Sequence, residues 1–344
     1  MELKEINSGE KISYATTKDD LIMLARQTKT KAEKRKEGLI LSLPLIAYFI
    51  HMAEYYYIPN KPGNVNTHVY GIFLTMLAAM YVCGLIASKF NYKTFLYFRH
   101  KAPFYTLVFV ILLVFDILTL KTGVLIMPYF PWADKVFNAA IEDRLYLLDC
   151  VKNSLILLFT GYSIGVILGI ITGILCGYSD KISYWIMPFI KLLGPIPSTT
   201  WLPLVMVLMN SLFKGAVFII SLGVWFSVSI ATITGIRNVN REYYMVARTL
   251  GATSNQLVTK IAIPSALPSI FQGMTQGMSS ACTALLVAEM LGVESGLGWY
   301  ITWQKSWAEF PKMYAAIVII CITFILVNWI LNSIKKGVLK WQEV

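Results

Sequence analysis

Charged residues are scarce in this chain of 344 residues. They make up 14% of the sequence, and hydrophobic residues make up 56%. A soluble domain carries about 25% charged residues because its surface needs them. Much of the surface of this chain must therefore face something other than water, and lipid is the simplest candidate. The composition predicts an integral membrane protein.

Residues that carry chemistry are also few. The five cysteines form no CxxC pair and the three histidines lie far apart in sequence, so no metal site is predicted. No GxxxxGK[ST] phosphate loop occurs, so we expect no ATP site and no cofactor in this chain. A membrane enzyme would require a group of reactive side chains such as paired carboxylates or an activated nucleophile. The sequence suggests no such group, so no catalytic residue is predicted. The basic residues cluster in loops and in the N-terminal segment, which argues against a nucleic-acid partner despite the net charge of +11.

Long apolar runs follow one another along most of the chain. About 20 helical residues cross a bilayer, and the runs are continuous, whereas the strands of a membrane barrel alternate. We therefore predict an all-α protein with about eight transmembrane helices. The predicted spans lie near 39–58, 69–88, 104–126, 151–176, 183–208, 215–236, 268–290 and 313–333.

The distribution of positive charge predicts the orientation. Residues 1–37 are polar and end in a dense basic cluster, so they are predicted to form a cytoplasmic tail. Lysines and arginines prefer cytoplasmic loops. This rule places both termini and the 237–267 loop inside, and the 127–150 and 291–312 segments outside.

Two features of the predicted spans suggest special roles. Prolines interrupt the fifth span, and a broken helix at membrane depth persists only where protein buries it or where it lines a cavity. That helix is therefore a candidate pore element. In the fourth span, a glycine at every fourth residue predicts close helix packing within the chain, and a pore or dimer role is the alternative. These glycines are Gly161, Gly165, Gly169, Gly173 and Gly177.

The loop between the sixth and seventh spans reads as structured. The sequence predicts a helix over residues 241–250, which Gly251 ends. It also predicts a second short helix over residues 253–262, which Pro264 ends. Leu250 and Leu257 would contribute to an apolar docking face. The alternative is an amphipathic connector that lies on the membrane surface.

This loop carries a family resemblance. The pattern Ala247-x3-Gly251-x9-Ile261-x-Ile263-Pro264 resembles the "EAA" loop of ABC-importer permeases, which docks into the ATPase subunits. The segments Pro195–Leu204 and Ala288–Gly298 are similar to motifs of the nitrate/sulfonate/taurine class, and they occur in the same order. The acidic residue of the motif falls on Met245, and Glu242 lies about one helical turn earlier.

The resemblance implies a fold, partners and a location. A five-helix permease core would occupy 151–344, preceded by three extra spans within 38–126 and an external loop at 127–150. The subunit would sit in a bacterial cell membrane and pair with a second permease, either a copy of itself or a related chain. Two ABC ATPase subunits would hold ATP and Mg²⁺, and an extracellular binding protein would deliver a sulfonate, a nitrate- or taurine-like anion, or a vitamin precursor. An ion-coupled secondary transporter is the alternative, although no inverted repeat is visible in the sequence.

Two groups of candidate site residues follow. Contact with the ATPases is predicted for Glu242, Met245, Ala247, Arg248, Leu250, Gly251, Leu257, Ile261 and Pro264. A water-filled translocation path is predicted for Ser198, Thr199, Ser279, Ser280, Thr283 and Glu289, because polar side chains at membrane depth usually face water or protein. Glu289 is equally consistent with a structural carboxylate.

Overall fold

A computed structural model describes residues 30–340 of the chain. These residues are predominantly helical and contain no strand, which confirms the all-α prediction. The described residues divide into two compact units, with the boundary between residues 135 and 136. The greater part of the predicted basic tail, residues 1–29, lies outside the described residues.

The first unit is built on three long helices. They are α1 (Lys31–Tyr57), α2 (Val69–Phe90) and α3 (Tyr92–Asp116), and a π-helical turn (Ile117–Lys121) continues α3. A capping box starts α1: the Thr30 hydroxyl accepts from the Glu33 amide at 3.3 Å, and the Glu33 carboxylate accepts from the Thr30 amide at 2.9 Å. The helix therefore begins ahead of the predicted boundary at residue 38, and part of the basic cluster lies on its first turns.

The bounds of α3 differ from the predicted third span. The sequence predicts a span at 104–126, whereas the helix and its π-helical turn cover 92–121. Its first turns are polar, so an apolar run could not mark them. Hydrogen bonding between backbone groups carries the helix beyond the apolar segment in the N-terminal direction.

The second unit contains the remaining helices. In chain order, α4 (Ala133–Glu142) overlaps the division and is followed by α5 (Arg144–Tyr178), α6 (Asp180–Leu193), a 3₁₀ turn (Ser198–Trp201), α7 (Leu202–Leu208), α8 (Leu212–Arg237), α9 (Arg241–Thr249), α10 (Ser254–Gln256), a π-helical turn (Leu257–Ala262), α11 (Ile263–Leu291), α12 (Leu297–Ser306) and α13 (Phe310–Val338). The predicted external loop at 127–150 is thus largely helical, because it contains α4 and the first turns of α5.

The glycines of α5 lie against α8. A methyl group added at each of them would come within 3 Å of a side chain on α8. The residues met are, in order, Ile220, Val224, Val228, Thr232 and Ile236, which share the same four-residue spacing. Two serines of α8 also donate to α5 carbonyl oxygens, Ser221 to Gly161 at 2.9 Å and Ser229 to Gly169 at 3.4 Å. The backbones of the two helices therefore approach closely along several turns.

Helix α11 packs against another side of α8. A methyl group added at Gly273 would lie 2.5 Å from the Ala231 side chain and 3.1 Å from the Ser227 carbonyl oxygen. Residues from α5, α8 and α11 share one buried cluster, which includes Leu158, Val224 and Leu285. These three helices form the centre of the second unit.

The count of eight membrane spans is not confirmed. Within residues 30–340, six helices are long and apolar enough to cross a membrane. The count rises to seven if α6 and the 198–208 segment, which bend by 83° at their junction, form one broken span. That bend confirms the predicted interruption of the fifth span. Helix α11 is long enough but is not among the candidates, and its sequence carries Gln272, Thr275 and Gln276.

Candidate functional site

The segment between α8 and α11 begins with a short helix that is capped at both ends. The Asn240 side chain accepts from the Glu242 amide at 3.0 Å and caps the start of α9. At the other end Gly251 has φ +82°, and its amide donates to the Arg248 carbonyl at 3.0 Å. The left-handed backbone at Gly251 ends the helix and turns the chain, as expected for a glycine in this position.

Helix α9 exposes large apolar side chains. None of its residues is buried, and four apolar or aromatic side chains are more than half exposed. They are Tyr243 (59%), Met245 (60%), Val246 (61%) and Leu250 (82%), the last lying just after the helix. Glu242 and Arg248 are exposed beside them, and Ala247 is half-buried. We call this surface the α9 knob.

Other predicted docking residues belong to the base of the segment. Leu257 is 2% exposed and Ile261 is half-buried, so neither extends the exposed apolar surface as predicted. Tyr244 packs against the buried cluster that contains Ile236 and Ala266. These contacts fix the α9 knob to the ends of α8 and α11.

The prediction that Pro264 closes a second short helix is wrong. Helix α10 passes through the π-helical turn directly into α11, and Pro264 lies in the first turn of that long helix. A proline has no amide hydrogen, so this position adds no backbone donor to the helix. The Ile263 amide donates to the Val258 carbonyl, so the hydrogen-bond register widens just ahead of the proline.

Two of the predicted path residues meet at Gly223 of α8. Ser198 and Ser280 line one cavity together with Gly194, Gly223 and Ser227. A methyl group added at Gly223 would lie 2.7 Å from the Ser280 hydroxyl and 2.9 Å from the Ser198 hydroxyl. The absence of a side chain at Gly223 therefore leaves room between the two serines. Thr199 occupies the same 3₁₀ turn and is half-buried, but it does not line the cavity.

Ser279 and Thr283 lie on a different face of α11. They are exposed and continue a polar row that starts with Gln272 and Gln276. The spacing of these residues, four, three and four, places them on one side of the helix. We call this row the α11 stripe. Four of the six predicted path residues thus form two groups, one inside the cavity and one on the stripe, and Thr199 belongs to neither.

Glu289 belongs to neither group. It is 1% exposed, and its carboxylate accepts from the Ser154 hydroxyl at 2.6 Å and from the Gly298 amide at 2.7 Å. The Ser154 hydroxyl in turn accepts from the Leu297 amide at 2.9 Å. The network joins α5, α11 and the start of α12, where a negative charge is favourable. Sequence reasoning missed Ser154, and its position as a polar residue in an apolar helix was the available signal.

Two glycines, Gly296 and Gly298, lie against Glu289. A methyl group added at Gly296, which has φ +104°, would lie 2.2 Å from Glu289 Oε1. A methyl group at Gly298 would lie 2.8 Å from Glu289 Cβ and 2.9 Å from the Leu286 carbonyl oxygen. The Gly296-Leu297-Gly298 segment therefore closes over Glu289 in a way that larger residues would prevent.

A family profile matches the part of the chain that contains these features. The binding-protein-dependent transport system inner membrane component profile aligns with residues 165–340, just over half of the chain. The chain belongs to this family. The match includes the cavity at Gly223, the α9 knob, the α11 stripe and Glu289, and it confirms the resemblance to ABC-importer permeases. The three helices of the first unit lie outside it.

Two curated permeases and one solved structure are similar to parts of this chain. The chain is 30% identical over 183 residues to the putative aliphatic sulfonates transport permease protein SsuC of Bacillus subtilis, covering 53% of this chain and 66% of that one. It is 29% identical over 105 residues to the bicarbonate transport system permease protein CmpB of Synechococcus elongatus, covering 30% and 38%. The chain thus spans less than two thirds of the length of either relative. A solved structure of the inward-facing MetNI methionine ABC transporter aligns with 19% identity and a TM-score of 0.49, covering 57% of this chain and 98% of that one.

Proposed function

We propose that this chain is the membrane-spanning permease subunit of an ATP-driven importer. It pairs with a second permease, draws energy from two ABC ATPase subunits, and receives its solute from an extracellular binding protein. The α9 knob is the observation that carries the proposal: it is a capped helix whose exposed apolar side chains have no cover within residues 30–340. An exposed apolar surface of this kind is typical of a contact with another protein or with the membrane, and we propose the protein contact.

The side chains of the α9 knob suit a contact with an ATPase. Fully burying a side chain such as Met245, Val246 or Leu250 contributes about 1.5–3 kcal/mol relative to leaving it exposed. Several such contacts exceed the cost of ordering a few side chains at the interface. Glu242 and Arg248 flank the apolar surface and can form charged contacts at its rim.

The base of the knob provides a mechanical connection. Leu257 is buried and α10 runs without a break into α11, so a displacement of the knob is carried to the α11 stripe. In this proposal ATP binding moves the knobs of both permeases and changes the side of the membrane to which the path opens. Reversing a 1:99 preference between two such states requires about 5.5 kcal/mol of differential binding.

The α11 stripe and the cavity at Gly223 are the candidate path. The stripe is a polar row on a helix whose opposite side is buried among apolar residues. Polar groups at membrane depth are stable where they face water or protein. Two permeases that turn their stripes toward each other would enclose such a path. The solute is proposed to be small: a sulfonate, a nitrate- or taurine-like anion, or a vitamin precursor.

Gly251→Val tests the proposal. Gly251 has open space around the position of an added side chain, so the variant introduces no clash. Its left-handed backbone costs other residues about 1–2 kcal/mol, so the turn that presents the knob should distort. We expect the variant to reach the membrane but to lose the ATPase subunits, or to keep them with transport uncoupled from hydrolysis. Co-purification, ATP hydrolysis and uptake in proteoliposomes measure these outcomes.

Gly337→Val is the matched control. An added side chain at Gly337 also meets nothing within 4 Å, but the backbone there is not left-handed. The control should associate with the ATPases and transport normally. If Gly251→Val does the same, the segment is only a connector.

A further inference from the structure

Three ionisable side chains meet inside the first unit. His51 and Glu54 lie three residues apart on one face of α1, and Asp116 ends α3. They are 0%, 5% and 0% exposed, respectively. One ligand atom from each lies within 4.8 Å of the other two. All three residues belong to helices that are apolar enough to cross a membrane, where ionisable groups are costly and usually functional.

The polar atoms of this cluster lack donors. His51 Nδ1, both Glu54 carboxylate oxygens and both Asp116 carboxylate oxygens have no hydrogen-bond partner among residues 30–340. An ionised carboxylate only accepts hydrogen bonds, so Glu54 and Asp116 cannot satisfy each other. A buried charge without such a partner is strongly unfavourable. The cluster therefore requires a cation or a shared proton.

Lys121 supplies charge to the cluster but no hydrogen bond. Its ammonium group lies 3.9 Å from Glu54 Oε1. It donates instead to the carbonyl oxygens of Tyr55 and Ile58 and to the side chain of Asn60, at 2.8–2.9 Å. An ammonium group has three hydrogens, and these three contacts use them all. Two carboxylates facing one lysine leave a net charge of −1.

The histidine can offer a lone pair to the cluster in one of its two neutral tautomers. His51 Nε2 lies 3.5 Å from the Tyr70 hydroxyl. When the ring carries its hydrogen on Nε2 and directs it at this hydroxyl, Nδ1 is unprotonated and can bind a cation. Histidines that bind metals commonly donate the hydrogen of the second ring nitrogen to a neighbour in this way.

We propose that His51, Glu54 and Asp116 bind a divalent transition-metal ion, for which Zn²⁺ is the representative. One imidazole nitrogen and two carboxylate oxygens are ligands that Zn²⁺ takes at about 2.0–2.2 Å, with a fourth position left for water. Ligand atoms around a tetrahedral Zn²⁺ lie about 3.5 Å apart, so these three atoms, which lie within 4.8 Å of one another, would move closer together on binding. The ion ties α1 to α3 within the first unit.

Metal analysis of the full-length chain tests this proposal. The chain is purified in detergent with a tag that contains no histidine, stripped with a chelator, and titrated with Zn²⁺ and with Co²⁺. We expect one ion per chain, a rise in the apparent melting temperature with Zn²⁺, and a visible Co²⁺ absorption band typical of nitrogen and oxygen ligands. Stoichiometric binding measured in the wild type does not depend on any variant folding.

Variants then locate the site. Asp116→Asn and His51→Gln keep the side-chain size, and each should abolish stoichiometric binding and the stabilisation by Zn²⁺. His100→Gln removes an exposed histidine and should change neither. If the wild type binds neither metal at one ion per chain, the proposal is overturned. The remaining explanation of the cluster is then a proton shared by Glu54 and Asp116. Binding by Asp116→Asn equal to that of the wild type would also overturn it. Neither result depends on transport.

Discussion

At the scale of single residues, the glycines of α5 determine how closely it packs against α8. In Gly165→Ala the added methyl group would lie 2.6 Å from Val224 Cβ and 2.7 Å from the Ser221 carbonyl oxygen. A backbone oxygen cannot rotate away, so the helices must separate. Overpacking of this kind costs about 1–3 kcal/mol, so we expect a lower apparent melting temperature in detergent.

Gly337→Ala serves as the control for this substitution. It lies in α13, where an added methyl group meets nothing within 4 Å. Alanine is favoured over glycine inside a helix, so the control should melt at the same temperature as the wild type or slightly higher. Equal melting temperatures of the two variants would show that the contact between α5 and α8 adapts without cost.

The cavity at Gly223 gives a second prediction at this scale. Gly223→Ala would place a methyl group within 3 Å of the hydroxyls of both Ser198 and Ser280. Because the variant fills the space between them, we expect slower solute uptake in proteoliposomes while ATPase association stays normal. Gly215→Ala, on the same helix, meets no atom closer than 3.3 Å and should transport normally. Unchanged uptake in Gly223→Ala would show that the cavity is not part of the translocation path.

At the scale of elements, the segment from α9 to α11 separates a contact surface from its support. Leu250 is 82% exposed and Leu257 is 2% exposed, although they lie only seven positions apart in one segment. We expect Leu250→Ala to weaken ATPase co-purification without changing the melting temperature of the isolated chain. We expect Leu257→Ala to lower that temperature, because removing a buried leucine costs about 2–5 kcal/mol.

These two leucines form a matched pair. The same atoms are removed in both variants, so a difference between them reports the environment of each side chain. Loss of stability in Leu250→Ala with normal ATPase binding would show that Leu250 contributes to folding and not to docking.

At the scale of the whole molecule, the proposed function requires the α9 knob to lie in the cytoplasm. Positive charge in the 237–267 loop predicts this side. In a variant whose native cysteines are replaced, Ser254→Cys should therefore not react with an impermeant thiol reagent added outside intact cells. Ser254 is exposed in the structure, so the same cysteine should react in opened membranes. Labelling from outside intact cells would show that the segment lies outside and that the predicted orientation is wrong.

The sequence by itself determined the class of protein, the family and the position of one turn. Composition and long apolar runs are sums over neighbouring residues, so they indicate membrane helices without any knowledge of contacts. Gly251 was identified as a helix stop because a left-handed backbone is a local requirement, and its φ of +82° agrees. The glycine row of α5 could also be recognised from the sequence, because residues spaced four apart lie on one side of a helix.

Only the tertiary structure decided which side chains are buried and which distant residues meet. Leu250 and Leu257 are equally apolar, and they differ in burial because the π-helical turn that contains Leu257 packs against the neighbouring helices. Pro264 was expected to end a helix, but the widened turn ahead of it lets the helix continue. His51 and Asp116 are far apart in sequence and become neighbours because α1 packs against α3. Such contacts depend on how whole helices associate, which local sequence does not encode.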